Sequence, residues 1–270
     1  MGDTGAVWRI HAVRYATVSE RFRHQNFIMS DDIHERMPLD FFVWAIVDDE
    51  RSIVVDTGFG PDEAERRGRD LLRTPAEALA EVGVDAAAVD DVVITHLHYD
   101  HAGTTAEFPR ARFHLQDREI AYATGRHMPE KSFGHAYSVN HVVDMVRHVY
   151  GNRVVFHDGD ADIAPGVSLH HIGGHTDGLQ SVRVATGRGS VVLASDAAHF
   201  YANLFDRSPF PIVFDVAAMV AGWDRVRGLA ESDDHVIPGH DPQVLELYPR
   251  SVEGFAEAVR VDLAPGGSPS

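Results

Sequence analysis

His96, His98, Asp100 and His101 fall within one short run, His96-Leu97-His98-Tyr99-Asp100-His101. Imidazole nitrogens and carboxylate oxygens are the donors that zinc and other divalent first-row metals accept. In an extended strand alternate side chains share a face, so His96, His98 and Asp100 can converge, whereas His101 beside Asp100 requires the backbone to turn. Three further donors each follow a strand-like run. His175 stands in Gly173-Gly174-His175-Thr176-Asp177-Gly178, Asp196 follows an apolar run at 191–194, and His240 ends Ile237-Pro238-Gly239-His240. Glycine beside His175 allows close approach of the backbone, and a carboxylate at Asp196 between two cations would offset their repulsion. Alone, Asp196 also reads as a turn residue and His240 as a satisfied polar histidine. Together the donors exceed the four that one tetrahedral ion takes, so the set reads as a centre for two divalent ions, with zinc expected.

The elements that must hold these donors can be read around them. Apolar runs at 41–47 and 52–55, separated by Asp48-Asp49-Glu50-Arg51, predict a hairpin leading into Asp56-Thr57-Gly58. Thr74 and Glu77 have capping-box spacing around Pro75, which predicts a helix to about residue 82, stopped by Gly83. Strands are expected at 91–95, 111–115, 153–156, 167–171, 179–184, 191–194 and 234–237, and helices at 116–124, 142–149 and 214–229, the last with Asp215 near its start. Residues 125–150 read either as a lid or substrate wall or as a surface excursion. Strands in both halves with helices between them predict an α/β fold of two sheets covered by helices. Neither a dinucleotide-binding glycine fingerprint nor a phosphate loop is present. Residues 1–263 read as a single domain, followed by a flexible Pro/Gly/Ser-rich tail at 264–270.

Composition narrows the partners. With 41 acidic against 24 basic side chains, the formal charge is −17, which argues against a surface that neutralises a nucleic-acid backbone. There is no cysteine, so disulfides and thiolate ligands are excluded. No segment approaches a membrane span, the first residues lack a secretory pattern, and Ala6 stands where a myristoylation signal after Gly2 wants Ser or Thr. A cytoplasmic protein with a small-molecule substrate is expected, and a homodimer is compatible with the sequence.

The ordered set resembles the metallo-beta-lactamase superfamily, in which an HxHxDH loop, a later histidine, a bridging aspartate and a final histidine bind two metals. The resemblance spans about residues 40–245. It implies an αβ/βα sandwich with His96, His98 and His175 on one ion, Asp100, His101 and His240 on the other, and Asp196 bridging. It also gives Asp56 a role outside the metals, orienting a ligand imidazole. Within the superfamily, the chain length, the segment before the hairpin and Ser195-Asp196-Ala197-Ala198-His199-Phe200-Tyr201 look most like the N-acyl-homoserine lactonase group.

That resemblance implies opening of a lactone by hydroxide generated between the metals, with Asp100 passing a proton to the leaving oxygen. The group carries a tyrosine three residues after the bridging aspartate, where this chain has His199. Either His199 or Tyr201 is then expected beside the substrate, donating to the oxyanion. Phe22, Phe27, Met29, Phe41, Trp44, Phe200, Phe205, Phe210 and Phe214 are candidates for an acyl-chain wall or for core. Other esters, lactams and thioesters remain alternatives, as does a non-catalytic, metal-stabilised binding protein. A thioester of the hydroxyacylglutathione type would call for a basic clamp near the site, and the sequence identifies none.

Overall fold

The computed structural model describes residues 7–30 and 32–269. The amino-terminal reading at Gly2 and Ala6, and the last residue of the tail, lie outside them. In chain order the elements are β1 (Arg9–Val18), β2 (Leu39–Val47), β3 (Ser52–Val55), α1 (Pro61–Arg67), β4 (Asp70–Leu71), α2 (Pro75–Glu81), β5 (Asp91–Val93), β6 (Arg112–Gln116), α3 (Asp117–Ala123), α4 (Lys131–Gly134) and α5 (Val139–Tyr150). The second half adds β7 (Val154–His157), β8 (Ala161–Ala164), β9 (Val167–His171), β10 (Gln180–Thr186), β11 (Gly189–Ser195), α6 (Tyr201–Phe205), α7 (Val216–Leu229), β12 (Val236–Pro238), α8 (Gln243–Leu247), β13 (Arg250–Val252) and β14 (Phe255–Arg260).

The first sheet runs β13-β14-β1-β2-β3-β5-β6-β7, with β4 attached to β1, and the second runs β12-β11-β10-β9-β8. The first is antiparallel through β3 and parallel from β3 to β7. In the second only the β11–β12 pair is parallel. Both sheets are therefore mixed, as the sandwich requires.

The near-continuous apolar run of β2 follows from burial on both faces. Phe42, Trp44 and Ile46 join Val182, Val184, Val191 and Leu193 between the sheets. Phe41, Val43, Ala45 and Val47 face the outer layer of α1, α2 and α5. β11 divides in the same way, with Val192 and Ala194 packing on Met219, Trp223 and Val226 of α7. Three hydrophobic layers result, with helices outside and a shared core in the middle.

Local signals place the helices. Thr74 caps α2 by accepting from Glu77 N while the Glu77 carboxylate returns to Thr74 N at 2.8 Å. Asp215 caps α7 by accepting from Ala218 N. The expected strand at 234–237 starts later, at Val236, because residues 233–235 form a 3-10 turn closed by His235 N onto Ser232 O. At the far end, Gly266 N donates to Leu247 O at 2.7 Å.

Candidate metal centre and its cavity

Asp56 follows β3, His96 to His101 follow β5, His175 follows β9, Asp196 follows β11 and His240 follows β12. β3 and β5 are parallel, as are β11 and β12, and β9 runs with β11 through two antiparallel steps. All five loops thus leave the carboxyl ends of strands and meet at one edge of the sandwich. The antiparallel β2 starts at this edge, where Asp40 O accepts from His240 Nδ1 at 2.7 Å.

The histidines converge with their protons turned away. His96 Nε2, His98 Nδ1 and His175 Nε2 are 2.9–3.1 Å apart pairwise. A carbonyl can only accept, so His175 Nδ1, at 2.7 Å from Ile212 O, holds the ring proton and leaves Nε2 as a bare lone pair. The same logic applies to His240 through Asp40 O. Tetrahedral donors at ~2.0–2.1 Å from zinc would stand ~3.3 Å apart, so this triangle has nearly the edge that one cation requires.

Asp196 joins two sets. Its Oδ2 faces His175 Nε2 at 3.2 Å and His96 Nε2 at 3.8 Å, while Oδ1 faces His240 Nε2 at 3.1 Å and His101 Nε2 at 3.3 Å. Asp100 Oδ2 completes the second set at 3.7 Å from His101 Nε2 and 3.8 Å from His240 Nε2. Asp196 Oδ1 and His101 Nε2 are buried with no hydrogen-bond partner. Buried polar atoms are rarely left so, and two shared cations would satisfy both. The donors fit a dinuclear centre in two clusters, His96/His98/His175/Asp196 and Asp100/His101/His240.

The electrostatics of the two sets differ. Burial, followed by neighbouring histidines, holds His96 and His98 well below the ordinary imidazole range, so both present lone pairs. Burial opposes protonation of His101 too, but Asp196, Asp56 and Asp100 around it push it up. Burial would raise Asp196, yet His240 and His101 hold it far below the carboxylate range. Asp196 is therefore an anion wherever the protein is folded near neutral pH.

A buried shell fixes the ligands. Asp56 Oδ2 accepts from His101 Nδ1 at 2.7 Å, and its two oxygens accept from Thr95 N and Oγ1 at 2.8 and 2.9 Å. Thr95 Oγ1 in turn lies 3.1 Å from His96 Nδ1 and 2.9 Å from Ser195 Oγ. Tyr15 Oη donates to Asp100 O at 3.0 Å. Glu119 on α3 accepts from Leu97 N at 2.8 Å, Tyr137 Oη at 3.0 Å, Thr176 Oγ1 at 2.6 Å and Gly178 N at 3.2 Å. It ties the loop of His96 and His98 to that of His175. Sequence reasoning missed Glu119, Thr95, Ser195 and Tyr15.

His199 and Tyr201 separate. His199 Nε2 donates to Asp196 Oδ2 at 2.9 Å, and its ring stacks on Phe210 with centroids 3.6 Å apart. Burial holds its pKa down at about 3, so the ring is neutral, with Nδ1 unprotonated and unpartnered. The proton expected for an oxyanion is directed to Asp196 instead. Tyr201 is fully buried in the layer between the sheets and does not line the cavity.

Five of the seven ligands, His98, Asp100, His175, Asp196 and His240, form the floor of a cavity of about 480 Å³. Residues 125–150 supply one wall through Ser132, His135 and Ala136, anchored where Tyr99 N donates to Ala136 O at 2.9 Å. Of the aromatic candidates Phe41 lines the cavity, whereas Trp44 belongs to the inter-sheet core. The wall also carries Arg21, Arg67 and Arg69. These are the basic groups that the sequence did not reveal, because they come from separate segments before the ligand loop.

Known proteins resemble this chain in sequence and in fold. An N-acyl homoserine lactonase of a Bacillus species is 27% identical over 75% of this chain and 82% of its own length. The N-acyl homoserine lactonase AiiB of Agrobacterium fabrum is 27% identical over 77% and 82%. A probable metallo-hydrolase of Mycobacterium tuberculosis is 26% identical over 73% and 70%. The crystal structure of a quorum-quenching N-acyl homoserine lactone lactonase superposes with a TM-score of 0.74 at 21% identity, covering 96% of this chain and all of that one, which shows a common fold. The family model of the metallo-beta-lactamase superfamily matches residues 39–246, from the start of β2 to α8, and encloses every candidate ligand; the chain belongs to that superfamily.

Proposed function

We propose that the protein is a dinuclear metal-dependent hydrolase that opens a small lactone, with zinc as the ion and the seven donors described above as its ligands. One observation carries the reading: the two oxygens of Asp196 face two separate histidine sets on the floor of a substrate-sized cavity. The lactonases among the relatives supply the choice of bond. Two divalent ions, when bound, would make water nucleophilic at neutral pH and polarise the carbonyl.

The chain's own groups do the rest. Asp196 lies between the two ligand sets and is held by His199 from the side. Asp100 combines a place in the second ligand set with a place in the cavity wall, which suits it to carry a proton to the leaving oxygen. His199 acts as a positioning residue for Asp196, not as a donor to substrate. The two sheets work as one catalytic domain, since ligands come from both.

The test is a panel of lactones, beta-lactams and thioesters with metal content measured on the same sample. Two ions per chain are expected, with lactone opening that collapses on chelation and in His98→Ala. Full activity in chelated protein would overturn the reading. Activity confined to lactams or thioesters would overturn the choice of bond.

A further inference from the structure

We propose that Arg21 and Arg69 form an anion subsite in the cavity wall, and that the preferred substrate carries a carboxylate or phosphate group away from the carbonyl that is attacked. The inference deepens the hydrolase reading and rests on it for the reaction, but not for the binding.

Both arginines line the cavity that His98, Asp100 and Asp196 floor. Arg69 Nε donates to Tyr99 Oη at 2.9 Å, and its guanidinium carbon lies 5.9 Å from the Tyr99 ring and 6.0 Å from that of Phe41. Tyr99 stands between His98 and Asp100 in the ligand loop, so Arg69 is registered directly against the metal centre. Arg21 donates Nε to Asn26 Oδ1 and Nη2 to Gln25 O, the latter at 3.1 Å. Every acceptor these two guanidiniums use is neutral.

Most arginines of this acidic chain, with 41 acidic against 24 basic side chains, pair with a carboxylate; Arg153 and Arg183 also use neutral acceptors only, but they do not line the cavity as Arg21 and Arg69 do. Their neighbour Arg67 pairs with Glu63, and Arg14 on β1 pairs with Asp40 and Glu257. Among the described residues neither Arg21 nor Arg69 has a carboxylate within ion-pair distance. Burial, and then the charge of Arg69, hold Arg21 below the ordinary guanidinium range. Two like charges close enough to repel are half-buried beside a cavity whose Asp100 acts on Arg21 only from beyond ion-pair distance, which leaves their donors to an external anion.

A guanidinium offers parallel N–H groups that match the oxygens of a carboxylate or phosphate. An uncharged alkyl chain lying there would cover those donors and satisfy none. An anion gripped at the wall would also fix the scissile carbonyl over the ligands, turning binding into orientation.

A matched pair of substrates tests this on the metal-loaded protein: a γ-lactone whose side chain ends in a carboxylate, and the same lactone ending in the primary amide. The acid should be preferred by about 10- to 100-fold in kcat/KM, mainly through KM, with the preference shrinking as salt screens the charge. Arg69→Gln and Arg21→Gln should each erase most of it, lowering kcat/KM on the acid at least about 10-fold more than on the amide, and Arg69→Lys should restore part. Equal loss on both substrates, or no preference in the unsubstituted protein, would overturn the subsite and leave the hydrolase reading standing. Calorimetric binding of glutarate is independent of turnover. The double Arg→Gln variant should bind it at least about 10-fold more weakly, and unchanged binding would overturn the subsite even if no lactone is opened.

Discussion

Glu119→Gln is the substitution that most directly tests whether one buried carboxylate holds the first ligand set in place. Glu119 is fully buried and accepts four hydrogen bonds, two from backbone N–H groups that can only donate. Burial raises its pKa, and the donors around it counter that. In the amide, one oxygen can keep Leu97 N and Tyr137 Oη at neutral strength. The NH2 group then faces Thr176, whose hydroxyl can rotate to accept, and Gly178 N, which cannot. One buried donor is left facing another and the remaining bonds lose their charge, which together should cost about 2–4 kcal/mol. The loss should also be local. Leu97 lies between His96 and His98, and Thr176 follows His175, whereas Asp100, His101 and His240 do not touch Glu119. Metal affinity should therefore fall about 10- to 100-fold in the first set alone, moving the metal content from two ions per chain toward one under mild chelation. Urea unfolding with metal analysis on the same samples measures both effects. A variant within about 0.5 kcal/mol of the parent that keeps both ions would refute this account of Glu119.

Two further outcomes are expected. Gly174 has φ +84°, and a Cβ there would come within 2.4 Å of Met219 N on α7; Gly174→Ala should destabilise the protein by about 2–4 kcal/mol through backbone strain and overpacking, read as a lowered urea midpoint. His11, on β1 and 8% exposed, is held down at about 4 by burial, then by Arg260, against 6.5 when unfolded. Its contribution is thus complete above pH 6.5 and is lost as pH falls toward 4, by at most about 3 kcal/mol. His11→Gln should flatten that limb of the stability profile, and an unchanged slope would count against the assignment.

The donors were legible in the sequence because each follows a short apolar strand, and the ligand loop packs four of them into one turn of chain. What surrounds them was not. Glu119 and Tyr15 are single residues in ordinary helix and strand contexts, Thr95 stands just past the end of β5, and only the fold shows which loops they join. The arginines of the cavity wall come from Arg21, before β2, and from Arg67 and Arg69, around the end of α1; no local pattern connects them. β1 was missed for a related reason. Arg9, His11 and Arg14 interrupt its apolar pattern, yet the strand sits inside the first sheet because distant groups meet those side chains. Arg14 donates to Asp40 at 2.8 Å and to Glu257 at 2.6 Å, and His11 meets Ser251 at 2.9 Å. β14, its partner strand, is similarly disguised by Glu257 and Arg260.

Beneath the ligands one hydroxyl, that of Thr95, bonds residues at the ends of strands from both sheets. Asp56, at the end of β3, and Ser195, at the end of β11, have φ of +64° and +48°, left-handed values that non-glycine residues rarely adopt. Each conformation costs roughly 1–3 kcal/mol and persists only where surrounding contacts over-determine it. Thr95 supplies those contacts to both. Its hydroxyl proton goes to Asp56 Oδ2, since a carboxylate can only accept, so its oxygen lone pairs are free to receive Ser195 Oγ–H and His96 Nδ1–H. The turn at Asp56 aims its carboxylate at His101, and the turn at Ser195 delivers Asp196 between the two histidine sets. One ligand imidazole from each set is thereby oriented from the same buried seam, His96 by Thr95 and His101 by Asp56. Two left-handed turns, one from each sheet, thus share the contacts of a single side chain, so the spacing of the two ligand sets depends on how the sheets pack and not on the ligand loops alone.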